Sequence, residues 1–398
     1  MSNKVLIIGG GASGLMAAIS AAKRGCEVTI IEHGERVGKK ILSTGNGKCN
    51  ITNTDLNEKK YHGGNREFIK KVIEEFNVQD TMDFFQSLGV LLKNKNGYIY
   101  PESEQAATIL NVLRFKCQEL KITTVCNKNV KNILVGHDGF LVEGIKANCL
   151  IIATGGMSSP KTGSDGSGFS LIKSLGHKVI KPVPALVGLK CREGFYKALG
   201  GVRTTAKISL FVDDKLMASE SGEIQLTEYG ISGIPVFQIS RFATRSFGKT
   251  DKIYAVIDFL PEIEHEDLME FLSRSISNNL RTPEEHLSCI LNKKLAGVIL
   301  KETNISEYLN LNDISEIVNK IKKFKTDIIG SNSFENAQVT AGGVDLKEIN
   351  PITMESKLVK NLYFAGEVMD VDGICGGYNL QWAWSTGYIA GKNAGRKG

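Results

Sequence analysis

The first 32 residues constrain the fold more than any other part of the chain. Residues 4–8 (KVLII) form a short apolar, β-branched run of the kind that makes a strand buried on both faces. GGGASG follows directly, with Gly9, Gly11 and Gly14 in G-x-G-x-x-G spacing and Ala12 and Ser13 between the last two. LMAAISAAKRG then has helical composition and stops at Gly25, and EVTII (27–31) is a second apolar strand closed by Glu32. Each part has a physical task. Gly9 permits the tight turn, Gly11 lets a pyrophosphate touch the backbone, and Gly14 lets helix and strand pack closely. The helix N-terminus stabilises phosphate charge. Glu32 accepts hydrogen bonds from a ribose diol and repels a 2′-phosphate. Strand, loop, helix, strand and acid in this order predict a dinucleotide-binding βαβ unit. A glycine-rich loop in an unrelated α/β fold is the alternative, and it leaves Glu32 unexplained.

Glycine also maps the domains. The chain has 42 glycines in 398 residues, where average usage of ~7% gives about 28. Residues 186–335 hold 10 of them in 150 positions, and the other 248 positions hold 32. The two ends therefore bring backbone close to a ligand, with an ordinary insert between them. The expected architecture is α/β, a Rossmann-like dinucleotide-binding domain over 1–185 and 336–398. A β-rich subdomain (186–261) and a helical subdomain (262–335) interrupt it.

The insert supports that division through its own patterns. Segments 206–212, 215–219, 222–227 and 252–259 alternate or cluster as short strands. After Pro261, 267–280, 283–300 and 314–324 show i, i+3/i+4 apolar spacing. Such an insert is expected to close a pocket and shape a substrate site.

The distant glycine clusters distinguish flavin from nicotinamide. NCLIIATGG (148–156) is an apolar strand ending in Gly155 and Gly156, the form of a strand that returns to the nucleotide sheet. NLYFAGE (361–367) repeats the pattern with Gly366 and Glu367, where a ribityl or pyrophosphate contact is expected. Gly376 and Gly377 then precede a helical stretch from about Leu380, a second helix N-terminus with free N–H groups. A neutral nicotinamide has little need of that positive end. A flavin does, because reduction makes its N1–C2=O edge anionic. A glycine turn capping a core helix is the plainer reading of this last segment alone. The three strand ends together favour FAD.

RVGKKILSTGNGKCNITN (36–53), ATGG with GSDGSGFSLIKSLGH (163–177), and the stretch from VTAGGVDL to LQWAWSTG (339–387) resemble the BaiN/YhiN-like family of FAD-dependent oxidoreductases. That family is more distantly similar to fumarate-reductase-type flavoproteins. The resemblance runs nearly end to end, and GNGKCN and GGYNLQWAWS carry most of it. Many relatives have arginine where Lys48 stands and glycine where Asn46 stands. The resemblance implies FAD in a two-dinucleotide-binding-domain style fold, and the flavin is expected to be non-covalent because no His or Cys is marked out for the bond. Carried onto matching positions, it implies cofactor contacts from His33, Lys39, Lys40, Gly45, Asn46, Gly47, Cys49, Asn50, Val130, Thr154, Tyr378, Asn379 and Leu380. These join Gly9, Gly11, Ala12, Ser13, Gly14, Glu32, Gly155, Gly156, Gly366, Glu367, Gly376 and Gly377.

A second G-x-G-x-x-G does not occur, so NAD(P)H is expected as a transient donor, or a redox partner replaces it. Tyr229, in the turn TEYGISG (227–233) between the insert's strands and a helix expected to start near Gly233, and Tyr378 are the candidate catalytic groups. A plain turn tyrosine is the alternative for Tyr229. Cys49 reads more simply as packing, and Arg203 as a surface strand-start residue. No histidine has a metal partner at ligand spacing, so no metal is expected. Eight dispersed cysteines without a C-x-x-C pair suit a reducing cytoplasm. The net charge of +6 and the lack of a basic-aromatic stripe argue against nucleic acid. The uncharged run Val5–Ala22 resembles a signal peptide, but its four glycines belong to the nucleotide motif, and no other stretch is apolar enough to span a bilayer. The expected activity is hydride transfer between flavin N5 and a small organic substrate. Kinship with the family points to an activated C=C bond in a steroid- or bile-acid-like enone or enoate. The alternatives are an amine oxidase taking an aminoacetone-like substrate with oxygen as acceptor, and a flavoprotein acting on tRNA.

Overall fold

In a computed structural model, residues 3–278, 281–305, 309 and 311–395 are described. The chain forms two units: one of residues up to Val183 and from Gln338 onward, the other of Pro184–Ala337.

The first unit is built on a five-stranded parallel sheet. Its strands are β1 (Lys4–Ile8), β2 (Glu27–Ile31), β3 (Thr123–Val125), β4 (Cys149–Ile152) and β5 (Leu362–Phe364), in the order β5-β4-β1-β2-β3. Phe364, Ile152, Ile8, Ile31 and Val125 lie in one register row, so the carboxyl ends of all five strands are level. The strands are covered on both faces, with Leu6, Ile7, Leu150, Ile151 and Leu362 fully buried, which is why they read as continuous apolar runs. Strand order reverses between β1 and β4. In doubly wound sheets that is the switch point where ligands bind.

Two helices complete the frame, α1 (Ala12–Ala22) and α2 (Tyr378–Ala394). Their contact is backbone on backbone. A Cβ on Gly387 would lie 2.4 Å from the Ser13 carbonyl oxygen, and one on Gly391 would lie 2.2 Å from that of Ala17. A Cβ on Gly14 would approach the Gly9 carbonyl to 1.9 Å. Side chains at these positions force the elements apart. The same unit carries helices over Arg66–Glu75, Val78–Ser87 and Ala106–Glu119, a hairpin of Leu92–Lys95 with Tyr98–Pro101, and a three-stranded antiparallel sheet over 133–147. Sequence reading assigns none of these, because their apolar patterns are short and interrupted.

The second unit is a closed six-stranded barrel with helices. Around the barrel run Leu189–Cys191, Gly230–Gly233, Lys215–Thr227, Arg203–Val212, Ile253–Asp258 and Phe324–Ser331, all antiparallel. Sequence reading separates 215–219 from 222–227 at Ser221-Gly222, but Lys215–Thr227 is one strand. Gly222 stays in the ladder opposite Ala206, since cross-strand pairing outweighs local turn propensity. The predicted helix over 283–300 is two, Pro283–Ser288 and Lys293–Glu302, the second opened by an Asn292 cap on the Lys294 N–H. The helix expected over 267–280 is observed as His265–Asn278, and its last two predicted positions lie outside the described residues. The helix expected to start near Gly233 is observed as Ile234–Ser246, with proline in its first turn.

The glycine contacts give opposite signs to two substitutions. Gly387→Ala should lower stability by about 1–3 kcal/mol through overpacking. Gly297→Ala, in a helix with open space around the new methyl, should raise it by about 0.5–1 kcal/mol. Urea-unfolding midpoints of both variants against the parent check this, and equal midpoints contradict it.

Candidate functional site

The glycine clusters that are far apart in sequence meet at the carboxyl edge of the sheet. Gly9 has φ +103°, and a Cβ there would lie 2.4 Å from the Ala153 carbonyl, so the turn after β1 rests against the backbone leaving β4. The next motif glycine, Gly11, faces open space, with nothing within 4 Å of where a Cβ would be, and it caps α1 without a side chain. The N–H groups of Ala12, Ser13 and Gly14 therefore open the helix with no intrahelical acceptor. Ser13 Oγ donates to the Ala365 carbonyl at 3.2 Å, tying this turn to the end of β5.

Glu32 leaves the end of β2 and accepts two backbone hydrogen bonds, from Gly10 N–H at 2.8 Å and Gly34 N–H at 2.7 Å. Both oxygens keep a further lone pair for a ribose diol. His33 Nδ1 lies 3.5 Å from the Glu32 carboxylate, and the chain after β3 runs alongside through Lys128 N–H to Glu32 O, bringing half-buried Val130 nearby in sequence.

Glu367, after β5, occupies the equivalent place across the switch point. One carboxylate oxygen accepts from Thr340 N–H at 2.7 Å and the other from Lys40 Nζ at 2.7 Å. Lys40 also reaches Ser164 Oγ at 3.3 Å, whereas Lys39 is exposed. Methyl groups on Gly155 and Gly156 would come within 3.9 and 3.2 Å of the Glu367 carboxyl. Thr340, which sequence reading misses, lies in a strand it does not assign (Val339–Val344), and its Oγ accepts from the N–H groups of Met157 and Ser158 at 2.8 and 3.0 Å.

The loop at 45–50 winds left-handed. Gly45, Asn46, Gly47 and Cys49 have φ of +55°, +54°, +84° and +57°. Asparagine is among the few non-glycine residues that tolerate that region, which suits Asn46 to this loop. Cys49 is fully buried, and burial pushes its thiol up to about 12. It packs. Asn50 is buried with Oδ1 lacking a partner, 2.9 Å from where a methyl on Gly377 would be. Thr154 Oγ1 is likewise buried and unpartnered.

The N-terminus of α2 is capped by Gly377 (φ +96°) with no side-chain bond. Asn379 turns back to Gly373, accepting its N–H and donating to its carbonyl, both at 2.8 Å, and Leu380 packs on the core. Asn53 Nδ2 donates to the Gly376 carbonyl at 3.1 Å. Tyr378 is 3% exposed; its hydroxyl donates to the Asp55 carbonyl at 3.2 Å, and its own carbonyl accepts from Tyr61 at 2.9 Å. Burial, and then Asp55, push its phenol up to about 12. The tyrosine expected to serve chemistry is thus tied into the scaffold that holds the helix start. Tyr229 lies in the second unit, exposed, in the turn between two barrel strands; its hydroxyl sits 2.7 Å from the methyl position of Gly188. Arg203 pairs with Glu223 at 3.3 Å on the barrel surface.

The donor set fits FAD. The N-termini of α1 and α2 without side-chain caps, the carboxylates of Glu32 and Glu367 at the two sides of the switch point, and the unpartnered buried oxygens of Asn50 and Thr154 lie in one unit. Among the described residues no helix is long and apolar enough to cross a membrane.

These features define a doubly wound dinucleotide-binding enzyme. The chain belongs to the HI0933-like family, whose Rossmann domain matches residues 3–393, which bears out the resemblance to BaiN/YhiN-like proteins. A 3-dehydro-bile acid delta(4,6)-reductase of Clostridium scindens is 40% identical over 407 residues, 99% of this chain and 100% of that protein. A ribosomal RNA dihydrouridine synthase of Haemophilus influenzae is 30% identical over 411 residues, covering 98% of each. A flavocytochrome c3 fumarate reductase in its open conformation aligns with a TM-score of 0.49 at 17% identity, over 99% of this chain and 78% of that one. The chain is an oxidoreductase of the FAD-dependent class.

Two outcomes test the site. Glu32→Ala should reduce the FAD retained through purification, read from the visible flavin absorbance per protein; unchanged occupancy argues against the ribose role. Iodoacetamide at pH 8 should label exposed Cys289 and spare Cys49, because a thiol at about 12 is almost wholly protonated there and the thiolate is the nucleophile. Peptide mass spectrometry reads both.

Proposed function

We propose that the chain binds FAD along the carboxyl edge of its parallel sheet and reduces an activated C=C bond in a steroid- or bile-acid-like enone or enoate. NAD(P)H is the proposed electron donor. The observation that carries this reading is the 40% identity, end to end, with a reductase of 3-dehydro-bile acids. When bound and reduced by that donor, the flavin would supply the hydride.

The residues of this chain supply the rest. Gly9, Gly11 and the first turn of α1 are proposed to take the pyrophosphate, through close backbone approach and free N–H groups. Glu32 and Glu367 are proposed to orient hydroxyls of the ribose and ribityl chain. Lys40 keeps Glu367 compensated, and Thr340 keeps it aimed. The N-terminus of α2 would support negative charge on a reduced flavin bound near it, with the Tyr61–Tyr378 pair and Asn379 holding that helix start in place. Tyr229 is kept as the candidate proton donor to substrate.

The names of the relatives describe reductions, which favours this reading over amine oxidation. One observation favours a second reading. The Haemophilus influenzae relative is a ribosomal RNA dihydrouridine synthase, and forming dihydrouridine also saturates a C=C bond conjugated to a carbonyl. The same chemistry on a uracil base in RNA is therefore the alternative, with a different substrate over the same flavin.

Anaerobic reduction of the FAD-loaded protein with NAD(P)H or dithionite, followed by mixing, separates these. A steroid Δ4-3-ketone should restore the oxidised flavin bands rapidly and yield the saturated ketone by mass spectrometry. Reoxidation by oxygen with peroxide release, and by no enone, would refute the reductase reading. Turnover of a ribosomal RNA transcript with no steroid product would select the alternative.

A further inference from the structure

Three lysines lie together on one face of the hairpin beside the start of α2, and nothing in the scheme above uses them. In the hairpin Lys93 pairs with Tyr100 and Lys95 with Tyr98, so all four side chains share a face. The opposite face buries Ile99 in the core. Lys48 joins them from the left-handed loop. Glu104, itself in the left-handed region at φ +51°, places its carboxylate among the three ammonium groups. Lys48 Nζ lies at 2.8 Å and Lys93 Nζ at 2.7 Å from it, and Lys95 bonds to the same oxygen as Lys93.

Glu104 does two things there. It gathers three like charges that would otherwise repel, and those charges hold its own carboxyl well below the usual range, so it stays ionised. The cluster therefore keeps positive charge in excess. The other acid within reach is Glu102, 3.8 Å from Lys93 Nζ, whose carbonyl also accepts from that lysine at 3.2 Å. Each ammonium has three N–H donors, and the ties to Glu104 leave Lys48 and Lys95 with donors to spare.

A cavity of about 210 Å³ opens on this group, lined by Lys48, Lys95, Tyr98, Tyr100 and Glu104. Sites that take whole drug-sized ligands begin at about 300 Å³. The cavity holds one headgroup and a short stem. Its aromatic wall leads to the cofactor end of the unit. The edge of the Tyr98 ring lies 3.1 Å from where a methyl on Gly376 would be, in the turn that opens α2.

We propose that Lys48 and Lys95 form an oxyanion subsite, with Lys93 tied to Glu104 and Glu102 beside them, which holds the phosphate or carboxylate of a molecule whose body passes over Tyr98 toward the N-terminus of α2. This rests on the reading that the flavin lies at that helix start. The shared chemistry is an oxyanion on a flat or apolar stem. Its two sources are the phosphates of a nicotinamide dinucleotide and the carboxylate of a steroid acid. Glu104 is a positioning residue, since it orders the lysines without needing to touch the ligand.

Isothermal titration of the full-length, FAD-loaded protein tests this with two arms. One titrates adenosine 2′,5′-bisphosphate. The other titrates cholate against its methyl ester, which removes the charge and keeps the ring system. Binding is expected in one arm, and in the cholate arm it is expected to be lost with the ester. The Lys48→Gln/Lys95→Gln variant should weaken it roughly tenfold, the scale of one charge-assisted hydrogen bond. Lys48→Arg/Lys95→Arg should retain it, which shows that charge and not folding is responsible. Absence of binding in both arms, or equal affinity in the Lys→Gln variant, overturns the proposal. FAD absorbance is read on the same samples. Anion binding that depends on the lysines in protein unable to hold FAD would leave the subsite standing and remove the flavin reading instead.

Discussion

Backbone contact without intervening side chains is the constraint on which the first unit depends. The Gly14 position packs under the Gly9 carbonyl, Gly387 on Ser13 and Gly391 on Ala17, each closer than a Cβ permits. These contacts hold α1, α2 and the turn after β1 as one block. They fix where each helix begins, and so where each exposes its unpaired N–H groups. The level carboxyl ends of the five strands then bring the loops after β1, β4 and β5 to a common edge. Widening any of these contacts by a methyl group moves a helix N-terminus, and the proposed dinucleotide site is made largely of helix N-termini and loop backbone.

The side chains at that edge are arranged to hold charge still. Glu32 and Glu367 each accept one or more backbone N–H bonds, and Glu367 is compensated by Lys40. A carboxylate fixed in this way can orient a hydroxyl without reorganising, which suits recognition of a sugar more than proton transfer. The groups with reactive reputations are instead built into the scaffold. The Cys49 thiol and Tyr378 phenol are both raised to about 12 by burial, and the phenol is bonded to the Asp55 carbonyl. In an oxidoreductase whose hydride chemistry belongs to the cofactor, the protein's share is position and field, and this edge has that character.

How much is legible in the sequence varies with the range of the interaction. β1, α1, β2, β4, β5 and the start of α2 can all be read from apolar runs and glycine spacing, because each signal lies within about 20 residues. Lys40 and Glu367 can each be named from sequence, but their pairing across 327 positions cannot. Thr340 escapes a sequence reading because a small polar residue in a glycine-bearing strand carries no distinctive pattern. The hairpin with Lys93 and Lys95 escapes it for a similar reason: its strands are four residues long, and two of their charges face a tyrosine. The strand over Lys215–Thr227 carries a local turn signal that long-range pairing overrides.

The amino-acid sequence by itself determined the dinucleotide-binding class, the family and the division into a glycine-rich frame with an inserted middle. Those properties rest on short-range spacing and on residue types that allow close backbone approach. Only the tertiary structure decided which charges compensate one another, that Tyr378 is hydrogen-bonded to Asp55 and Tyr61, and that three lysines gather around Glu104. Each of these depends on side chains brought together by sheet order and helix packing, and spacing along a chain does not encode the contacts that folding creates across it.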